Sequence, residues 1–250
     1  VSHELRTPIA NIKTVIHLLE SVLNKHGVLD AESIEPPQGI NRYLNILKEQ
    51  CEQELRLVND LLEMRSIDAQ TCPLEVFPVV LQDWLPHLLE GFQERLTQQQ
   101  QALDLAIARD LPPLNTELHS LNRIISELLH NACKYTPAHG KVTVTAIAIA
   151  PTDPNHPNGV ELCISNSGVE IAATELNRIF EPFYRIPNGD PWRSGGTGLG
   201  LALVKKLVNR LRGEVAVTSA AQVVTFTLRF PANLALLPDC QQQSQSKPRF

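Results

Sequence analysis

No stretch of this 250-residue chain is apolar for long enough to cross a bilayer, and no signal peptide opens it. No membrane contact is therefore expected within it, and a cytoplasmic location is. It also lacks an excess of positive charge, with 22 Lys and Arg against 27 Asp and Glu. That removes the electrostatic footprint of a nucleic-acid or anionic-membrane binder. The five cysteines (Cys51, Cys72, Cys133, Cys163, Cys240) form no CxxC pair and are odd in number. They suit reduced thiols and argue against a disulfide framework or a zinc site. Seven histidines (His17, His26, His87, His119, His130, His139, His156) show no metal spacing and read as surface or packing residues. There are no internal repeats and no GxxxxGK[ST] P-loop.

What remains is enough chain for a sizeable core and more than one domain. From Leu5 the apolar residues run Leu5, Ile9, Ile12, Ile16, Leu19, Leu23 in steps of four and three, the seam of a packed helix. Pro8 inside that seam predicts a kink or weakened turn. Val1 already stands in the pattern with no cap before it, so the chain reads as a fragment with any sensor or anchor upstream. Residues 30–39 are a loop by composition. A second seam follows through Leu44, Leu47, Cys51, Leu55, Val58 and Leu62. Two such helices make an antiparallel hairpin, and pairing two hairpins into a four-helix bundle covers both stripes. A homodimer through residues 1–69 is the expectation.

Prolines at 73 and 78 mark a linker over 70–78, and the pattern then changes to mixed helix and strand. The spacing predicts a helix from Leu81 to about Gln100, its Gln98–Gln101 end solvated, and a strand over 102–108. A strong helix spans Leu118 to Tyr135. Strands are expected over 141–150, 160–165, 214–219 and 223–230, a short helix over 174–180, and another from Gly198 to Leu211. Residues 182–197 read as a mobile loop and 235–250 as a disordered tail. The second domain, 79–234, is thus an α+β sandwich with helices on one face of a mixed sheet. Trp84 reads as core and Trp192 as a loop residue.

Three stretches of that domain carry chemistry. Glu127, Asn131 and Lys134 stand at i, i+4 and i+7, on one helix face. Asn131 can offer a carbonyl oxygen to Mg²⁺, Lys134 a point charge to phosphate, and Tyr135 a ring to a base. Alone, the stretch reads equally well as a solvated face. The second, Gly195-Gly196-Thr197-Gly198-Leu199-Gly200, runs into a helix, where backbone N–H groups and the helix start favour an anion. No strand directly precedes it, so it is not a dinucleotide fingerprint. The third is a strand ending in Asn166-Ser167-Gly168, whose acceptor could read an amino group on a purine. Alone, it is more simply a strand and turn.

In order and spacing these stretches resemble the sensor histidine kinases of two-component systems, over roughly residues 1 to 231. Ser2-His3-Glu4-Leu5-Arg6-Thr7-Pro8 is similar to the family's H box and Glu127–Tyr135 to its N box. Asn166–Ile171 falls at the G1 box, Phe180–Arg185 at the F box and Gly196–Gly200 at the G2 box. The resemblance implies a helical phosphoacceptor hairpin followed by an ATPase domain of the GHKL (Bergerat) type. It implies that His3 accepts phosphate from Mg-ATP and passes it to an aspartate of a response regulator receiver domain. Asn131 would bind Mg²⁺, while Lys134 with Gly196, Thr197, Gly198, Leu199 and Gly200 would hold the phosphates. Residues 182–197 would form a lid. Glu4 takes the other ring proton by resemblance alone, because adjacent helical residues point about 100° apart. Thr7, at i+4, shares the face of His3, and the family uses that position in dephosphorylating the regulator. Glu127 stands where related ATPases keep a water-activating base; a solvated or capping glutamate is an equal reading.

One departure stands out. The family's G1 pattern is Asp-x-Gly-x-Gly, whereas this chain has Asn166, Gly168 and Glu170. An amide oxygen still accepts, but loses charge-assisted strength of about 1 kcal/mol. Two rivals stay open: a degenerate kinase serving as a regulator-binding scaffold or phosphatase, and an ATPase of the gyrase or chaperone type.

Overall fold

The structure, a computed structural model, describes residues 12–14, 16, 17, 20, 21, 40–69, 74–149, 159–186 and 197–234. The described residues between 12 and 21 are helical, and helix α1 spans Ile40–Asp68. Lys13 pairs with Glu52 at 3.3 Å and Glu20 with Lys48. The partner's number falls as the first rises, so the two helices run antiparallel. The loop expected over 30–39 and the kink at Pro8 lie outside the described residues.

The second region contains β1 (Phe77–Val79), α2 (Leu81–Glu90), α3 (Gln93–Gln98), β2 (Ala102–Ile107), β3 (Leu114–Thr116) and α4 (Leu118–Tyr135). Next come β4 (Lys141–Ile149), β5 (Gly159–Ser167), a 3-10 turn (Arg178–Phe180), α5 (Gly200–Arg210), β6 (Glu214–Ala220) and β7 (Val223–Pro231). Five strands form one sheet in the order β2-β4-β5-β7-β6, parallel only between β2 and β4. Strand alternation sends Val142, Val144 and Ala146, Leu162 and Ile164, and Val224, Phe226 and Leu228 into the core under the helices. That is the expected α+β sandwich.

Helix α4 is the spine of this layer. Leu121, Ile124, Ile125, Leu128, Leu129, Ala132 and Cys133 recur at helical spacing and are buried. The Glu117 carboxylate accepts from Ser120 N at 2.8 Å and caps the start. Thr136, extended before Pro137, ends the helix. Gln101 Nε2 donates to the carbonyls of Cys133 (2.9 Å) and Thr136 (2.5 Å), closing the last turn. The glutamine run is thus not merely a solvated terminus.

Three expectations need correction. The helix expected over 81–100 is two, α2 and α3, broken at Gly91-Phe92 so that Phe92 turns inward. Residues 174–177 are a turn and only Arg178–Phe180 is 3-10 helix, because so short a segment cannot sustain its own nucleus. The last helix starts at Gly200, since Gly198 has φ +72°. A small antiparallel pair, β1 with β3, was not foreseen. Trp84 is half-buried against the core.

Candidate functional site

Arg123, Glu127, Asn131 and Lys134 follow one another along a stripe of α4. Asn131 and Lys134 are half-buried, and Tyr135 is 44% exposed. The Lys134 ammonium lies 4.9 Å from the Tyr135 ring centre. Lys134 also lines an open cleft of about 340 Å³ with Gln98, Gln99, Gln100, Gln101, Thr136 and Ala138. No residue of the 197–200 loop lines that cleft.

The turn after β5 meets the end of α4. Gly168 has φ +84°, and its N–H donates to Gln222 O at 2.7 Å. A Cβ there would fall 2.4 Å from Pro137 Cγ, so only glycine lets this turn close onto the residue that follows α4. Two residues back, Asn166 faces the core between Val142 on β4 and Val224 on β7. It is only 5% exposed, and its amide nitrogen has no hydrogen-bond partner. Glu170 is exposed to solvent.

The glycine loop docks on two other elements. Phe183 N–H donates to Gly198 O at 2.9 Å, and a Cβ on Gly198 would sit 2.8 Å from the Phe183 carbonyl carbon. Both residues have positive φ, +64° and +72°. Around them the Tyr184 hydroxyl donates to Glu175, Arg178 stacks 4.1 Å over the Tyr184 ring, and Phe180 meets Phe226 edge-on. Leu199 is fully buried, so its side chain belongs to the core and only its backbone can serve a ligand. Even there, the Leu199 N–H donates to Thr197 Oγ1 at 3.3 Å. Gly200 opens α5, and a Cβ on it would meet Glu127 Oε2 at 2.7 Å. Gly196 and Trp192 lie outside the described residues, as do His3, Glu4 and Thr7.

One cluster escapes sequence reasoning. Arg123 pairs with Asp60 of α1, reaches Glu63 Oε2 at 3.5 Å and Glu127 Oε1 at 3.2 Å. Burial raises the carboxyl of Asp60 above its usual range despite the nearby guanidinium, and burial raises that of Glu63 likewise. Below this cluster Met64 joins the main core, with Leu57 and Ile67 packed against it. At the edge Lys206 of α5 pairs with Asp68. The only signal in the sequence was a carboxylate, Asp60, set among Leu57, Val58, Leu61 and Leu62. Glu127 is therefore neither a solvated residue nor a cap: it joins the α1 contact to the start of α5.

Among the described residues no group of three His, Cys, Asp or Glu is placed to hold a metal ion. The half-buried Asn131 has an amide oxygen of the kind Mg²⁺ can take, since that ion needs few protein oxygens and keeps waters and phosphates as ligands. Among the described residues, too, no helix is long and apolar enough to cross a membrane.

Two family profiles match in chain order: the His Kinase A (phospho-acceptor) domain over residues 1–70, and the histidine kinase-, DNA gyrase B- and HSP90-like ATPase over residues 116–234. The chain belongs to the sensor histidine kinases. The sensor histidine kinase RcsC of Escherichia coli K12 is 28% identical over 240 residues, 95% of this chain and 23% of RcsC. The phosphate regulon sensor protein PhoR of Pseudomonas aeruginosa is 31% identical over 94% of this chain and 49% of PhoR. Among solved structures, full-length ShkA in complex with AMPPNP superposes with a TM-score of 0.70 at 27% identity, covering 92% of this chain and 44% of ShkA. The chain thus spans about a quarter to a half of these relatives. A histidine kinase carries both halves, the phosphoacceptor hairpin and the ATPase layer, which the gyrase and chaperone alternative does not explain.

Proposed function

We propose that this chain is the catalytic core of a sensor kinase that phosphorylates its own His3 from Mg-ATP and passes the group to an aspartate of a response regulator. The observation that carries it is the convergence on α4: the Gly168 turn closes on its end, and the Gly200 helix start closes on its Glu127. The Gly168 approach requires glycine, and the start of α5 beside Glu127 offers backbone N–H groups to an anion, as a phosphate-bearing ligand needs. The profile match over 1–70 supplies the acceptor domain at the other end of the chain.

Phosphoryl transfer asks a protein mainly for positioning and charge neutralisation. Mg²⁺, when bound, neutralises charge on the phosphates. Asn131 would hold it through its amide oxygen, one helical turn past Glu127. Lys134 would add a point charge, swinging away from the Tyr135 ring, and the exposed Tyr135 ring would lie along the base. Gly198 and Gly200 would present backbone rather than side chain, with Gly196 before them. Asn166 and Gly168 would face the purine. His3 would attack as the neutral imidazole, the dominant form of an unperturbed histidine near neutral pH. Glu4 would hold its other ring proton, and Thr7 would orient water for hydrolysis of the regulator's aspartyl phosphate.

A homodimer through residues 1–69 fits the same reading, because Ile12 and Leu47 are each 50% exposed on the hairpin. A second copy would cover them. Incubation with γ-labelled ATP and Mg²⁺ beside His3→Gln tests the proposal. Acid-labile label lost in His3→Gln is the expected result. No label with intact regulator binding would leave the scaffold reading in its place, and phosphate release without label would indicate a simple ATPase.

A further inference from the structure

Among the described residues, Asn166 is a buried side chain at the candidate base site whose amide nitrogen the protein leaves unmatched. It is 95% buried by its 5% exposure, yet its amide nitrogen has no hydrogen-bond partner. Its cross-strand neighbours on both sides, Val142 and Val224, have no polar side-chain atom to offer. A buried amide donor without a partner is costly to a fold, because its lost hydration is not replaced. An unmatched polar group two residues before the ligand-facing turn at Gly168 therefore itself points to a ligand. No protein acceptor fixes the amide nitrogen, and the oxygen and nitrogen ends of an amide exchange by a half turn of the side chain.

That exchange decides what the site can read. On the Watson–Crick edge, a 6-aminopurine presents a donor at position 6 and an acceptor at N1. A 6-oxopurine presents the reverse, an acceptor at position 6 and a donor at N1. A carboxylate only accepts, so it matches the first at position 6 and repels the second. An amide has one donor and one acceptor side by side and matches either edge, according to which end faces the base. Resting on the reading of this site as a nucleotide pocket, we infer that Asn166 lets this kinase bind 6-oxopurine triphosphates nearly as well as ATP.

Inosine triphosphate isolates the effect, because it differs from ATP only at position 6 and N1. Dissociation constants of Mg-ATP and Mg-ITP are measured by calorimetry on the wild-type chain and on Asn166→Asp, with circular dichroism to confirm folding. The expected wild-type result is binding of the two within about tenfold of each other. Asn166→Asp is expected to raise the ITP-to-ATP ratio of dissociation constants by tenfold or more. ITP binding more than tenfold weaker than ATP in the wild type overturns the inference, and this arm does not depend on the variant folding. A folded Asn166→Asp with an unchanged ratio overturns it as well, since Asn166 is then not the reader. Failure of both nucleotides to bind the wild type would instead overturn the nucleotide-pocket reading beneath it.

Discussion

The two ends of the α4 stripe treat polar groups in opposite ways. At the Arg123–Glu127 end the protein supplies its own counter-charges: one guanidinium serves Asp60, Glu63 and Glu127. At the Asn131–Tyr135 end the neighbouring turn leaves the buried amide of Asn166 without a partner. Where charges are paired, they hold the helical hairpin to the ATPase layer, even with the buried Arg123 Nε making no hydrogen bond. At Asn166 the unmatched amide nitrogen carries no charge to pair, and a bound ligand is what could satisfy it. Glu127 is the joint between the two, with one carboxylate oxygen on Arg123 and the other against Gly200.

The largest expected loss tests the ligand end. Gly198→Ala must hold φ +72° and place its Cβ 2.8 Å from backbone atoms of Phe183, which cannot step aside. A cost of about 2–3 kcal/mol follows, read as a lower denaturant midpoint. Gly200→Ala is the control: its Cβ meets only the far end of Glu127, and alanine suits a helix start. It should stay within about 0.5 kcal/mol of wild type. Equal losses in the two variants would mean that the glycines serve helix docking in general and not a backbone approach.

Second comes the matched end. Arg123→Ala leaves Asp60, whose side chain is 7% exposed, without its counter-charge. Loss of one partner from a fully buried pair costs about 3–5 kcal/mol, and the 31% exposure of Arg123 discounts that to about 2 kcal/mol. A midpoint change equivalent to less than about 0.5 kcal/mol would reduce the cluster to surface decoration.

Legibility from sequence divides along the same line. Helix α4 was readable to its end residues because one strong 3.6-residue pattern runs from Leu121 to Cys133 and Pro137 stops it. The break between α2 and α3 was hidden because Leu81, Leu85, Leu89, Phe92 and Leu96 continue the spacing straight through Gly91. Strands β1 and β3, three residues each, are too short to show alternation and find each other only across 35 residues or more of chain. The candidate ligands of α4, the Gly168 turn and the glycine loop were readable because their chemistry is local. The Arg123 cluster was not, since Asp60 and Glu63 stand some 60 residues from Arg123 and no local pattern encodes that pairing.

A third prediction concerns pH and separates Asp60 from ordinary carboxylates. Burial raises the folded carboxyls of Asp60 and Glu63 above their unfolded values. Between those values the folded state binds more protons than the unfolded, so these groups contribute stability that falls as pH rises through that window. On acidification toward the ordinary carboxylate range they offset part of the loss from other carboxylates. Asp60→Asn removes one such group, so the variant should lose stability more steeply than wild type as pH falls toward that range, read as denaturant midpoints across a pH series. Parallel pH profiles would mean that Asp60 is charged and well served by Arg123 throughout.

The smallest effect marks the rim of the same interface. Lys206 and Asp68 join α5 to the end of α1, but their side chains are 32% and 61% exposed, so water competes for both charges. An exposed pair contributes from nothing to about 1 kcal/mol, and Lys206→Ala should cost about 0.5 kcal/mol or less. Salt sharpens the contrast with Arg123. At 1 M salt the screening length shrinks to about 3 Å, which should erase the Lys206→Ala difference. The Arg123→Ala difference should largely survive, because its partner Asp60 is enclosed and screened much less. If both differences vanish together in salt, the α1–α4 contact is held by long-range charge and not by the buried pair. If only the rim's does, the junction between hairpin and ATPase layer rests on one arginine that also touches the carboxylate beside Gly200.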